Sequence, residues 1–341
     1  MSTNKMILTV AALGASMSLA AVAQADDLND DQLAFVSQTV QAQRSTAMQR
    51  YAGGRLQEIW NPQIEHNDVD WWLHSLGEWD SYADDAVSGK SRSVAAGVDM
   101  NTGKETRTGV YVMYNHTKLS SGETEALQQD WRVGAYTGKQ HGAVQQYGYV
   151  NYGRLGNHYY EDGLDLKYHG QIVELGGEYK YDLHHADGKI YHVSPYVNVQ
   201  ASRYMQKSAR NTYTVASIGP VGPISMDLIS PAVNHNYLAG ETGVELRREL
   251  PAGNYAVRLG YKHVFAGEKL EIAQGVETNV MNTSTSAMQY YTGNIDKDYL
   301  HLTLGGTLKL QPNLSLSAEG GWLKSSHDRG LMADVKLDWT F

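Results

Sequence analysis

The sequence predicts an all-β fold, a 12-stranded antiparallel transmembrane β-barrel preceded by one α-helix. Three observations predict it. Twelve segments repeat apolar residues at every second position, so each has one apolar and one polar face. The connections between them alternate between short turns and longer loops, the asymmetry expected of an outer-membrane wall. After the first segment, no stretch approaches the ~18 apolar residues that a membrane-spanning helix needs.

Composition narrows the function classes further. The 341 residues include 34 Gly, 23 Tyr and 7 Trp but only 3 Phe, 7 Pro and no Cys. Without Cys there is no disulfide scaffold, no cysteine zinc site and no thiol catalysis. A formal charge of −9 and an isoelectric point near 5.8 do not suit nucleic acid as a partner.

Residues 1–25 read as a secretory signal peptide. Lys5 precedes an apolar run from Met6 to Val22, and Ala23-Gln24-Ala25 supplies the small-x-small cleavage pattern before Asp26. Residues 26–68 form a short N-terminal segment with a helix and a linker. Within it Leu33, Val36, Val40, Ala47 and Tyr51 recur at helical spacing, and Gly53-Gly54 ends the pattern. The apolar stripe is narrow, bordered by six Gln and by Arg44, Arg50 and Arg55. A core helix carries a wider apolar face. This one suits surroundings that are polar on most sides, with a surface or dimerising helix as the alternative.

Residues 69–341 form the barrel. Its strands centre near Leu73, Ala96, Val112, Val133, Val150, Leu175, Val197, Val244, Leu259, Leu304, Leu316 and Val335. The C-terminus is the clearest case, with Leu331, Ala333, Val335, Leu337, Trp339 and Phe341 alternating with Met332, Asp334, Lys336, Asp338 and Thr340. Short turns are expected at Asn101–Glu105, Gly138–Gly142, Leu183–Lys189, Pro251–Asn254 and Gln311–Asn313, and long loops at Met205–Val233 and Gly267–Lys297. A soluble sandwich has no reason to segregate loop lengths by end. In a barrel the apolar face meets lipid, and Trp79, Trp131, Tyr255, Trp322 and Trp339 would form its interfacial girdles. The polar face lines a lumen, so Arg132, Glu174, Glu178, Glu241, Glu245, Arg258 and Lys262 are expected to face inward.

Enzyme motifs are missing. No H-E-x-x-H, G-x-S-x-G or phosphate-loop pattern is present. His184 and His185 beside Asp187 fall on a short turn, where solvated residues are expected rather than metal ligands. His66, His74, His116 and His263 fall at strand ends, a placement that reads as interfacial. No catalytic, cofactor or metal site is assigned.

Six pieces occur in a telling order: "AQRSTAMQRYAGGRL" (Ala42–Leu56), "DWWLHSLGEW" (Asp70–Trp79), "SVAAGVDM" (Ser93–Met100), "TGVYVMYNHT" (Thr108–Thr117), "HGQIVELGGEYKY" (His169–Tyr181) and "GLMADVKLDWTF" (Gly330–Phe341). Together they resemble the C-terminal translocator domain of autotransporters, the type V secretion barrels, over roughly residues 30–341. The resemblance implies a monomeric barrel in the bacterial outer membrane, acting as anchor and translocator, with long loops at the cell surface. It implies that the helix threads the lumen, with Arg44, Arg50 and Arg55 near inward carboxylates such as Glu174, Glu178, Glu241 and Glu245. In a wet lumen each such pair contributes about 1 kcal/mol. Val335, Leu337, Trp339 and Phe341 resemble the terminal signal read by the outer-membrane insertion machinery, so lipid and that machinery are the expected partners. Such proteins usually carry a long passenger between signal peptide and helix, but here only a few residues separate Asp26 from the helix start. The expectation is therefore a relative without a passenger, or one serving a separate passenger or a surface ligand. A porin-like channel and an adhesin or hydrolase acting through the long loops are the other readings.

Overall fold

Alternating β-branched and aromatic residues favour extended backbone, and a wall in lipid must satisfy every backbone group by pairing. The computed structural model describes residues 69–82, 87–121, 124–161, 164–184, 191–215, 224–230, 232–280, 283–311 and 313–340. The leader, the helix with Arg44, Arg50 and Arg55, His66, His185 and Phe341 lie outside the described residues.

Sixteen strands are described: β1 (Val69–Tyr82), β2 (Val87–Gly103), β3 (Thr106–Ser121), β4 (Thr124–His141), β5 (Val144–Glu161), β6 (Leu164–Tyr181), β7 (Tyr191–Gln206), β8 (Ala209–Val215), β9 (Ile224–Ser230), β10 (Val233–Leu250), β11 (Gly253–Ala266), β12 (Lys269–Val280), β13 (Thr283–Asn294), β14 (Asp298–Gln311), β15 (Leu314–Lys324) and β16 (Arg329–Thr340). Twelve of them, β1–β7, β10, β11 and β14–β16, close into one antiparallel barrel. The seam pairs β1 with β16 from Asp70↔Thr340 to Ser81↔Arg329. Each of the 12 segments read from the sequence is one of these wall strands.

The two connections expected as long loops are not loops. Their strands form a second antiparallel sheet in the order β13-β12-β9-β8. That order follows the wall order β14-β11-β10-β7 beneath it, so the second sheet prolongs one side of the barrel beyond the wall. The sequence "TSTSAMQYYTGN" lacks the apolar series that made the wall strands readable, and in "KLEIAQGVETNV" the series Leu270, Ile272, Val276 and Val280 is interrupted by Gln274 and Thr278. The other connections at this end are tight, with only residues 83–86, 122–123, 162–163 and 325–328 between paired strands. There the asymmetry between the two ends comes from strands of 16–18 residues that overhang the wall, not from loop length.

Side chains sort by parity. Trp71, Val112, Val133, Leu175, Leu304 and Leu331 stand exposed on the outer surface, while their neighbours are buried inside. Trp79, Trp131, Tyr255 and Trp339 are exposed on that outer surface and Trp322 is half-buried. Among the described residues no helix is long and apolar enough to cross a membrane, so the crossing is by strands.

Candidate functional site

The interior is the candidate site, because parity gathers there the buried acids and bases of the wall strands. Its chemistry changes along the bore. Near the short-turn end, Arg107 on β3 bridges Asp70 on β1, at 2.6 Å, and Asp99 on β2. The Tyr136 hydroxyl donates to Asp99 Oδ2 at 2.7 Å and accepts from Trp72 Nε1 at 2.9 Å. The rings of Trp72, Tyr111 and Tyr136 pack with centroids 6.1–6.4 Å apart. Each lies opposite a glycine on the next strand, in the pairs Trp72↔Gly97, Tyr111↔Gly134 and Gly109↔Tyr136. A Cβ at any of these glycines would overlap the facing ring.

Above this layer lie two ion networks. Arg132 binds Asp130 Oδ2 at 2.6 Å and Glu174 Oε2 at 3.0 Å, and Tyr149 donates to Glu174 Oε1 at 2.8 Å. On the adjoining stretch of wall, from β6 to β11, Lys180 meets Glu245 at 3.0 Å, and Arg258 meets Glu178 at 2.6 Å and Glu245 at 3.9 Å. The Arg258 guanidinium lies 4.1 Å from the centre of the Tyr196 ring, whose hydroxyl donates to Glu241 at 2.6 Å; His301 Nδ1 lies 3.2 Å from Glu241 Oε2. β6 does not border β10 or β11. Lys180–Glu245 and Arg258–Glu178 therefore bridge over intervening strands, which only the concave side of a wall allows.

These contacts locate the candidate residues. Arg132 and Glu174 share one network; Glu178, Glu245 and Arg258 share the other, with Glu241 at its edge. Lys262 stands apart, 5.7 Å from the centre of the Tyr237 ring. Each of the four carboxylates has a wall partner of its own, which the sequence reading had not supplied. Asp70, Asp99, Arg107, Asp130, Lys180 and His301 were not singled out, although each shares the parity of the residues that were. His74 differs from expectation. It lies inside the barrel, 2% exposed and paired with Asp334 on β16, because β1 runs on to Tyr82 and its even-numbered residues point inward.

Further along the bore the polarity becomes neutral. Ser91 donates to Asn115 at 2.7 Å and Gln128 to Asn157 at 2.8 Å. At the overhanging end Tyr82, Val87, Leu119, Ala126, Tyr159, Leu166, Tyr168 and Val233 form an apolar collar in which no residue is more than 6% exposed. Among the described residues no group of three or more His, Asp or Glu side chains is placed to hold a metal ion.

Outside the wall, Asp296 clamps the β15–β16 turn. Its carboxylate accepts from Ser325 Oγ at 2.6 Å and from the His327 amide at 2.7 Å. Partial burial raises its pKa, but the bonds from Ser325 and His327 outweigh this and the net shift is downward. A lowered folded pKa makes the clamp fully present above the unfolded value of about 4, and lost as pH falls through the folded value. Asp296→Ala is therefore expected to speed proteolysis at residues 325–328 at neutral pH. Hydrogen exchange at the His327 amide should rise in the same variant; an unchanged rate would remove the clamp.

Residues 71–321 match the family model described as "Autotransporter beta-domain". The chain belongs to the autotransporter β-domain family. This autotransporter barrel is similar to the translocator domain of NalP from Neisseria meningitidis, with a TM-score of 0.67 at 13% identity over 91% of this chain and 99% of that one. It is also similar to the transport unit of AIDA-I from Escherichia coli, with a TM-score of 0.54 at 9% identity over 92% and 100%. The beta domain of the Bordetella autotransporter BrkA gives 0.50 at 13% identity over 81% and 100%. These likenesses show the fold. A comparison with curated protein sequences returns no match. As an autotransporter β-domain the chain is an outer-membrane anchor and translocator, its short turns facing the periplasm and the overhanging strands and second sheet facing the cell surface.

Proposed function

We propose that residues 28–56 form a helix occupying the bore of this translocator, held there by charge. One observation supports the reading. Among the described residues, ten inward wall acids are buried (Asp70, Glu78, Asp99, Asp130, Glu174, Glu178, Glu241, Glu245, Asp334 and Asp338) against five cations (Arg107, Arg132, Lys180, Lys262 and Lys336), and the half-buried Arg247 and Arg258 are matched by the half-buried Glu249 and Glu319. Arg44, Arg50 and Arg55 supply positive charge to an interior that is short of it. In this reading residues 1–25 are removed on export, and Val335, Leu337, Trp339 and Phe341 act first as an insertion signal and then as lipid-facing side chains. The closed wall has no free edge, so the barrel works as a monomer, and a separate passenger or surface ligand meets the second sheet. The reading assigns no catalytic step to the barrel.

Planar-bilayer conductance tests the helix. The mature chain is expected to conduct poorly, and deletion of residues 26–54 to raise conductance severalfold with the barrel still folded. Unchanged low conductance would remove the helix from the bore. Arg44→Ala with Arg50→Ala should give intermediate, flickering openings.

A further inference from the structure

The outer surface carries a second chemistry above its apolar band. On β2 the outward series Val98, Ala96 and Val94 gives way toward the cell surface to Arg92 and Lys90. On β5 Val150 and Tyr152 give way to Arg154, and on β7 Val197 and Val199 give way to Arg203. Lys90, Arg92, Arg154 and Arg203 are exposed, and none has a carboxylate within ion-pair distance among the described residues.

The border between apolar and cationic residues is level. Val94 pairs with Tyr114, Tyr114 with Trp131 and Trp131 with Arg154. From the Arg154 rung the border drops one same-face rung further, to Val173↔Arg203. The cationic border thus steps down the ladder from β2 to β7, as a line parallel to the membrane must in strands tilted by ~35–45°. Six strands at about 4.8 Å spacing make the patch about 24 Å wide. On the side of β10 and β11 the patch ends, since they present Asn236, Leu238, His263 and Phe265 at that level.

Cations at the rim of a lipid-facing wall, with no carboxylate beside them, need counter-charge from the membrane itself. The apolar band that meets acyl chains runs directly beneath them. The combination fits an amphipathic anion. We propose that the outer face of β2–β7 is a binding site for a phosphorylated glycolipid of the outer leaflet. Its acyl chains lie on Val94, Tyr114 and Tyr152, and its phosphates meet Arg92, Arg154, Lys90 and Arg203. Guanidinium groups favour this class because phosphate oxygens accept two of their N–H groups side by side. Free phosphate offers the charge without the chains.

The test is native mass spectrometry of the full-length mature barrel in detergent, titrated with phosphorylated lipid A, dephosphorylated lipid A or inorganic phosphate. Phosphorylated lipid A should bind about tenfold or more tighter than the dephosphorylated form. A Lys90→Gln, Arg92→Gln, Arg154→Gln, Arg203→Gln variant should lose that preference. Lys139→Gln with Arg248→Gln, toward the other end of the wall, should retain it. Single Arg92→Gln and Arg154→Gln substitutions, each severalfold weaker, serve if the fourfold variant does not fold. The site is overturned if these variants bind like the parent or if dephosphorylated lipid A binds equally. Displacement of the lipid by an equal concentration of inorganic phosphate, or a parent that binds none of the three, overturns it too.

Discussion

Replacing Arg132 with methionine is expected to lower the stability of the folded barrel by about 3–5 kcal/mol, the cost of removing one partner from a buried ion network. The Arg132 side chain is 2% exposed, and it is held by Asp130 and Glu174, whose side chains have no exposed surface. Methionine nearly preserves the length of the side chain and removes the charge, so two carboxylates would remain in a space that water does not reach. Tyr149 and Gln200 would still donate to Glu174, at 2.8 and 3.3 Å, but neither brings a positive charge. Adding Asp130→Asn and Glu174→Gln to Arg132→Met should recover much of the loss, since the strain comes from unpaired charge rather than from a missing contact. Urea titration of the barrel in micelles, followed by tryptophan fluorescence, measures both effects. A loss below about 1 kcal/mol for Arg132→Met would mean that the bore is wet and its ion pairs screened like surface ones.

The wall was legible because lipid imposes a rule with a period of two, and the rule leaves a trace at every second residue. Leu331 to Trp339 show it without interruption, and that parity placed Glu174, Glu178, Glu241 and Glu245 inside. Parity names a face and not a neighbour. Lys180 meets Glu245, 65 residues away, and Arg258 meets Glu178, 80 residues away, because the wall closes. Nothing local encodes either meeting. The second sheet escaped for the opposite reason. β8, β9, β12 and β13 continue the wall outward, so lipid no longer imposes one apolar face and the periodic signal fades. His74 was misplaced for want of a strand end, since the apolar–polar series around it does not reveal that β1 continues to Tyr82. Arg154 and Arg203 were visible as breaks in an apolar face, but their common level emerges only once the registers of β2 to β7 are joined.

Gly134→Val is expected to prevent the barrel from closing. Gly134 on β4 faces Tyr111 on β3, and a Cβ there would lie within the phenol ring. The ring cannot swing aside, because Trp72 and Tyr136 pack against it at 6.2 and 6.1 Å. The strands cannot part, because β3 and β4 are held by a ladder running from Thr106↔Lys139 to Ser121↔Thr124. Forcing extra atoms into a filled site costs about 1–3 kcal/mol, and more where nothing can yield. The alanine variant should therefore fold at reduced yield and the valine variant hardly at all, as read by the heat-sensitive mobility of folded barrels on gels. Gly320→Ala is the contrast, since a Cβ there would meet only the Met332 carbonyl oxygen at 3.9 Å. Pairing Gly134→Ala with Tyr111→Ala should restore closure, because the small residue then faces an emptied slot. If valine at 134 folded as well as alanine at 320, the ring layer would not be a rigid part of the wall. The 2.9 Å bond from Trp72 to Tyr136 would then be a surface of contact between movable side chains rather than the fixed floor beneath the ion networks.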